Sequence, residues 1–190
     1  FHFQLNKVID LPIKKGQLLM RLRSDNGGEY TSHGFRWYCD DADGPFHIRQ
    51  EFTAPYSPEQ NGKAERVWRT LKEVTRTLLF QAELPKWAWE RAMATAVYVA
   101  NRLPTNTTPD KSPYERLRLK KPNLDHLRVF GCVAYTLKKT HKAALDDRAE
   151  AGIFIGYTDS GYELYIPRRQ TFIRTNKQDT WVNEKVLSKE

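Results

Sequence analysis

Cysteine is scarce in this sequence, and its scarcity excludes two classes of small protein. The 190 residues contain two cysteines, Cys39 and Cys132. Neither has a second cysteine or a histidine beside it at the spacing of a zinc site, so a zinc finger is disfavoured. Two cysteines are also too few for a disulfide scaffold. We therefore predict that both are buried free thiols.

Long apolar runs are missing as well. No stretch approaches the roughly 18 apolar residues that a membrane span needs, and no basic-then-apolar leader opens the sequence. We therefore expect a protein that is neither secreted nor membrane-bound, with a nuclear or cytoplasmic location. The first residue is Phe1 rather than methionine, and we interpret the chain as part of a longer protein.

Acidic residues are outnumbered by basic ones. Lysine and arginine total 31 against 23 aspartates and glutamates, which gives a formal net charge of +8. Such a balance favours a polyanionic partner such as nucleic acid, although ribosomal, chromatin and membrane-surface proteins share it.

The first half of the sequence alternates strand and helix signals. Leu18–Leu22 reads as a short strand with Asp25 at its carboxyl end, and a second, imperfect strand follows near Phe46–Phe52. The spacing predicts a helix over residues 63–82, with its core face formed by Val67, Leu71, Val74 and Leu78. A second, largely buried helix would include Trp87 and Trp89.

The second half is a linker followed by short strands. Residues 104–125 carry four prolines and one short predicted helix, Pro113–Leu117. Beyond them come four β-rich stretches, which imply a small barrel: Leu127–Leu137, Gly152–Tyr157, Gly161–Ile166 and Thr171–Arg174.

Asp25 and Glu65 are the candidate catalytic and metal-binding residues. Two metal ions held by carboxylates from separate elements can activate a nucleophile and stabilise the leaving oxygen of a phosphodiester. A strand-end aspartate and a glutamate in the first turn of a helix could supply such ligands. The alternative is that Asp25 belongs to an ordinary turn and that Glu65 only complements the helix dipole.

Four motifs, taken in order, resemble the integrases of copia-type retrotransposons. They are Leu22-Arg-Ser-Asp-Asn-Gly-Gly-Glu-Tyr30, Pro55-Tyr-Ser-Pro-Glu-Gln-Asn-Gly-Lys-Ala-Glu-Arg66, Leu127-Arg-Val-Phe-Gly-Cys132 and Ile153-Phe-Ile-Gly-Tyr157. The resemblance implies an α/β chain: a partial RNase H-like integrase core over residues 1–103, a linker over 104–125, and a small SH3-like β-barrel module over 126–190.

The resemblance also implies roles for particular residues. Asp25 matches the second acid of a D,D-E site and Glu65 the third, with Mg²⁺ or Mn²⁺ as cofactor. The expected partners are the transposon ends and target DNA, and a homo-oligomer is left open. The nucleic-acid-binding residues would be Gln60, Asn61, Lys63, Arg66, Arg69, Lys72 and Arg76. Cations on a helix are otherwise often only a solvated face, and the loop before it only a helix entry.

One departure from the family pattern limits the expected activity. The family's first catalytic aspartate lies on an opening strand more than fifty residues before the second, whereas only 24 residues precede Asp25. We therefore expect weak metal binding and no strand transfer by this chain alone. Two alternatives stay open: a non-catalytic nucleic-acid-binding or assembly module, and a product that does not fold stably.

Overall fold

Two sheets organise the chain. The computed structural model describes residues 21–39, 48–54, 62–106, 109–138 and 147–187. The chain divides into two compact units, residues 1–70 and 71–190. A two-stranded sheet belongs to the first unit and a five-stranded sheet to the second.

The first unit is built on a pair of parallel strands, β1 (Arg21–Ser24) and β2 (Arg49–Phe52). Parallel neighbours need a crossover connection, and here it contains the short helices α1 (Gly28–Thr31) and α2 (His33–Cys39). Ser24 is aligned with Phe52, and the Thr53 amide donates to the Ser24 carbonyl at 2.9 Å. Asp25 directly follows a strand, as predicted, but the strand is Arg21–Ser24 rather than Leu18–Leu22, and residues 18–20 lie outside the described residues.

Helix α2 has a side-chain cap at its start. The Ser32 hydroxyl accepts a hydrogen bond from the Phe35 amide at 3.3 Å, which caps the helix start. At the other end of the helix, Cys39 is buried and its carbonyl accepts from the Ile48 amide at 2.8 Å. Cys39 and Cys132 are both buried free thiols, as expected.

Helix α3 (Gly62–Ala82) has nearly the predicted bounds but a different buried face. Val67 and Val74, predicted to face the core, are exposed, Val67 by 60%. Burial instead follows Thr75 and Ala82, with Leu78 packed beside them. Of the predicted core face, Leu78 packs against the core, whereas Val67 and Val74 do not. The burial of α3 depends on Phe130 and Ile155, which pack with Ala82 and are far away in sequence.

The tryptophans after α3 are also less buried than predicted. Trp87 lies in a 3₁₀ turn (Lys86–Ala88) and Trp89 begins α4 (Trp89–Ala100); they are 43% and 50% exposed. Helix α4 buries its small residues instead, Ala92, Thr95 and Ala96. Small side chains let the helix approach the sheet closely, which leaves the large indoles at its margin.

The linker contains the predicted short helix, α5 (Pro113–Arg118). The Ser112 hydroxyl caps it by accepting from the Glu115 amide at 3.2 Å. The Arg102 guanidinium lies 3.3 Å from the ring centre of Tyr98 and 4.9 Å from that of Tyr114, so cation–π contacts join this linker to α4.

The second unit ends in an antiparallel sheet of five strands in the order β6-β5-β4-β3-β7. The strands are β3 (Cys132–Leu137), β4 (Ala149–Tyr157), β5 (Gly161–Ile166), β6 (Thr171–Asn176) and β7 (Thr180–Leu187). The sequence predicted the first four and missed β7. The inner face holds one hydrophobic cluster formed by Cys132, Ala134, Phe154, Tyr162, Leu164 and Ile166.

The sheet curls so that its two edge strands meet at one end. Strands β6 and β7 lie at opposite ends of the strand order, yet only three residues, Lys177–Asp179, connect them. The Thr180 hydroxyl donates to the Thr175 hydroxyl at 2.6 Å and lies 2.8 Å from the Asn176 carbonyl. This closure is typical of a small barrel. Across the described helices, none is both long and apolar enough to cross a membrane.

Candidate functional site

Asp25 is exposed in the turn between β1 and α1. One of its carboxylate oxygens, Oδ1, accepts a hydrogen bond from the Gly27 amide at 3.2 Å. This is a local side-chain turn of the kind that aspartate forms with the amide two residues ahead. The carboxylate therefore has a defined direction while it remains accessible to solvent.

Asn26 connects this turn to the neighbouring strand. Its side-chain Nδ2 donates to the Thr53 carbonyl at 2.9 Å, in a partly buried bond. The Thr53 amide already binds the Ser24 carbonyl. Both neighbours of Asp25 are thus bonded to the backbone of Thr53.

A second carboxylate, Glu29, lies beside the same turn. A Cβ atom placed on Gly27 would be 2.8 Å from Glu29 Oε2 and 3.1 Å from Asp25 Oδ1. Glu29 was missed by the sequence prediction, although an acid four residues after a strand-end aspartate is a visible signal. Within the described residues, no group of three or more histidine, cysteine, aspartate or glutamate side chains converges as a metal site would require.

Glu65 lies in the first turn of α3 and is exposed. It belongs to the same compact unit as Asp25. Both are hard, exposed oxygen donors, which is the ligand type that Mg²⁺ and Mn²⁺ prefer, so their chemistry fits such an ion. The convergence of Asp25 and Glu65 on one ion stays a prediction.

The predicted basic face of α3 is exposed. Arg66, Arg69, Lys72 and Arg76 all lie in solvent along this helix, as expected from their spacing. Their contact with DNA stays a prediction. Gln60 and Asn61 lie outside the described residues, and so does the side chain of Lys63.

His126, to which the sequence assigned no chemistry, lies within an aromatic cluster. Its Nε2 is 2.7 Å from the Tyr98 hydroxyl, and the Tyr98 ring stacks on Tyr157 with centroids 4.2 Å apart. Burial raises the pKa of Tyr157 to about 12, so that hydroxyl stays protonated. The partners are 28 or more residues from His126 in sequence, and no local pattern could have indicated them. The cluster is structural.

The five-stranded sheet at the carboxyl-terminal end matches a known domain family. Residues 132–189 match the family described as the retroviral polymerase SH3-like domain. This segment contains all five strands of the curled sheet. The predicted SH3-like module is confirmed.

Longer relatives cover most of the chain. The retrovirus-related Pol polyprotein from transposon TNT 1-94 of Nicotiana tabacum is 43% identical over 163 residues, which cover 84% of this chain and 12% of the polyprotein. This chain is a relative of the Pol polyproteins of plant retrotransposons. The corresponding polyprotein from transposon RE1 of Arabidopsis thaliana is 39% identical over 160 residues, 78% of this chain and 10% of that protein.

The Pol relationship extends beyond the SH3-like domain. A 163-residue alignment is much longer than segment 132–189, so it includes most of the residues that precede this domain. The chain spans only 10% to 12% of the length of these relatives. A solved structure, the catalytic core domain of BIV integrase, is 25% identical and covers 62% of this chain and 66% of that chain, with a TM-score of 0.41.

Proposed function

We propose that this chain is the integrase segment of a copia-type Pol polyprotein and takes part in DNA integration. The relationship to transposon Pol polyproteins over 163 residues is the observation that carries this proposal. The family resemblance of the motifs around Asp25 and Glu65 adds the chemistry. Because its DNA substrates would be chromosomal, the nucleus is the proposed place of action.

In this proposal, Asp25 and Glu65 hold a divalent cation against the DNA backbone. Mg²⁺ or Mn²⁺ would supply the positive charge that activates a nucleophile and stabilises the leaving oxygen. The exposed position of both carboxylates supports this role. Gln60, Asn61 and Lys63 would contact DNA near the scissile phosphate.

The basic face of α3 would bind phosphates beside this site. Arg66 and Arg69 follow Glu65 on the same helix, and Lys72 and Arg76 extend the row. Each phosphate that these side chains neutralise adds affinity and makes the affinity dependent on salt. The partners in this proposal are transposon ends and target DNA.

The proposal also includes inactivity of these 190 residues by themselves. Of the three acids of the family's site, the matching motifs supply two, Asp25 and Glu65, and we propose that these two alone do not support strand transfer. Two carboxylates leave the ions without the ligand that would bridge them, so cation binding should be weak.

Metal binding by carboxylate variants tests the proposal. Binding of Mn²⁺ to the 190-residue chain would be measured by electron paramagnetic resonance for Asp25→Asn, Glu65→Gln and the double variant. If both carboxylates bind one ion, each single change lowers affinity about tenfold, and the double change adds little because the effects are coupled. Independent, additive losses would contradict a shared site.

Glu73→Gln is the matched control, because Glu73 is another exposed acid on α3 and its change alters the net charge equally. It should leave Mn²⁺ affinity within twofold. If Glu73→Gln and Glu65→Gln lowered Mn²⁺ affinity equally, the effect would come from the change in net charge and not from a specific site.

A non-catalytic nucleic-acid-binding module is the second candidate function. The exposed cations of α3 favour it as well, because they need no metal to bind phosphates. The affinity for duplex DNA, measured with Mg²⁺ and with EDTA, distinguishes the two candidate functions. For a metal-free module, Mg²⁺ would act only as a competing cation. Its addition would then change DNA affinity equally in the unaltered chain and in Glu65→Gln.

A further inference from the structure

Asn26 occupies a position from which it can orient the Asp25 carboxylate. We propose that Asn26 is a positioning residue, which holds the Asp25 turn in place through its hydrogen bond to the Thr53 carbonyl. The inference rests on the proposed metal-binding role of Asp25. Asn26 itself would not touch the ion or the DNA.

The bonding around Thr53 carries this inference. The Thr53 amide donates to the Ser24 carbonyl at 2.9 Å, and the Thr53 carbonyl accepts from Asn26 Nδ2, also at 2.9 Å. Asp25 therefore lies between two residues that are both bonded to the backbone of one residue, Thr53, in the chain next to β1. The polypeptide has little freedom to rotate at Asp25 while both bonds are made.

The backbone after Asn26 in turn orients the Asp25 carboxylate. The Gly27 amide, directly after Asn26, donates to Asp25 Oδ1 at 3.2 Å. Loss of the Asn26 bond would release this amide and with it the preferred direction of the carboxylate. Groups that orient metal ligands from behind commonly affect metal affinity by 10-fold to 100-fold.

Gly27 lies directly against the Asp25 carboxylate. A Cβ on Gly27 would press on Glu29 Oε2 at 2.8 Å and on Asp25 Oδ1 at 3.1 Å, whereas a Cβ on Gly28 would meet nothing within 4 Å. The backbone of Gly27, and not that of Gly28, is therefore the neighbour of the Asp25 carboxylate.

The competing explanation is that the Asn26 bond only stabilises the fold. The same unit contains a comparable hydrogen bond that serves as a control. Gln50 Nε2 donates to the Tyr30 carbonyl at 3.2 Å, in another partly buried bond from a side-chain amide to a backbone carbonyl. It ties β2 to α1 without touching the residues on either side of Asp25. Gln50→Ala therefore removes a comparable bond at a neutral position.

The first measurement is Mn²⁺ affinity of the 190-residue chain by electron paramagnetic resonance. Asn26→Ala should weaken Mn²⁺ binding about tenfold, while Gln50→Ala should change it less than twofold. Equal effects of the two variants would overturn the inference, because both would then act only through general stability.

The second measurement separates this inference from the metal role of Asp25. Hydrogen exchange of the Gly27 amide, followed by NMR without metal, should accelerate in Asn26→Ala and stay unchanged in Gln50→Ala. Unchanged exchange in Asn26→Ala would refute the positioning role. If exchange accelerates while Asp25→Asn leaves Mn²⁺ affinity intact, the positioning role stands and the proposed metal site fails.

A second variant guards against misfolding of Asn26→Ala. Asn26→Asp keeps the size and shape of the side chain but replaces the Nδ2 donor with an acceptor facing the Thr53 carbonyl. It should accelerate exchange of the Gly27 amide as Asn26→Ala does. If the Gly27 amide of Asn26→Asp exchanged as slowly as that of the unaltered chain, the Asn26 Nδ2 donor would be unimportant.

Discussion

The Tyr98 hydroxyl and His126 Nε2 lie 2.7 Å apart, which joins α4 to the segment that leads into the curled sheet. The Tyr162 hydroxyl donates to the His126 carbonyl at 3.1 Å, so the histidine is held from two directions. A neutral imidazole can accept the proton of Tyr98 at Nε2. A protonated ring cannot, and the Tyr98 hydroxyl would have to turn around.

The free energy of unfolding should decrease as pH falls, because of His126. Burial lowers the pKa of His126 below its usual 6.5, and the nearby Lys177, Arg102 and Arg128 lower it further, against an opposing effect of Asp125. The unfolded chain therefore binds the proton more readily. This contribution is fully present above pH 6.5 and is lost as pH falls through 6.5 toward the folded pKa. Thermal unfolding at pH 7.5 and 5.5 would measure it.

His126→Gln should reduce the difference between the unfolding temperatures at these two pH values. His33→Gln is the control, because His33 is an exposed histidine in α2. An identical pH dependence in the unaltered chain and in His126→Gln would contradict the expectation.

The basic face of α3 predicts a specific salt dependence of DNA binding. Arg69→Ala combined with Lys72→Ala should reduce the slope of log affinity against log salt by about one to two units, because two phosphate contacts are lost. Fluorescence anisotropy with a duplex at several salt concentrations would measure this slope. Lys111→Ala with Lys120→Ala removes the same charge from exposed linker positions. Equal slopes for the two double variants would place α3 outside the DNA contact.

Gly131 should tolerate no side chain. It adopts a positive φ of 83°, and a Cβ there would overlap the Cβ of the buried Ala82. We expect Gly131→Ala to lower the free energy of unfolding by about 2–4 kcal/mol through backbone strain and overpacking. Gly34→Ala, in an open position of α2, should be neutral or stabilising. Urea unfolding of the two variants would show whether the contrast exists.

Two half-exposed tryptophans should differ in their importance for stability. Trp87 packs against Tyr165 and Phe172, with ring centroids 4.8 and 5.7 Å apart. Among the residues that the structure describes, Trp181 has one aromatic ring contact, with Tyr135 at 5.6 Å. Trp87→Ala should cost about 2 kcal/mol, and Trp181→Ala less than about 1 kcal/mol. Chemical denaturation would rank them. A larger loss from Trp181→Ala would show that the edge strand β7 matters more than the helix–sheet contact.

Local signals in the sequence were sufficient for most of the secondary structure. The strand before Asp25, the bounds of α3 and the proline-led helix α5 all depend on residues within a few positions of one another. The small barrel was predicted from the succession of short β-rich stretches. Strand β7 was missed because its sequence, Thr180-Trp-Val-Asn-Glu-Lys-Val-Leu187, mixes polar and apolar residues without regular alternation.

The candidate site was predicted only as residue types and spacings. The motifs indicated Asp25, Glu65 and the row of cations by type and spacing. The bond from Asn26 to Thr53 was not predictable, because it joins residues 27 positions apart that meet only when β1 and β2 pair.

By itself, the sequence determined the approximate positions of most helices and strands, which residues carry charge, and to which polyproteins the chain is related. Tertiary structure decided which apolar faces are covered: Val67 and Trp89 lie in solvent, while Ala82 and Ala92 are buried. The physical reason is that propensity and capping act over one or two turns of chain. Burial depends on which distant surface packs against a residue, here Phe130 and Ile155 against α3 and α4.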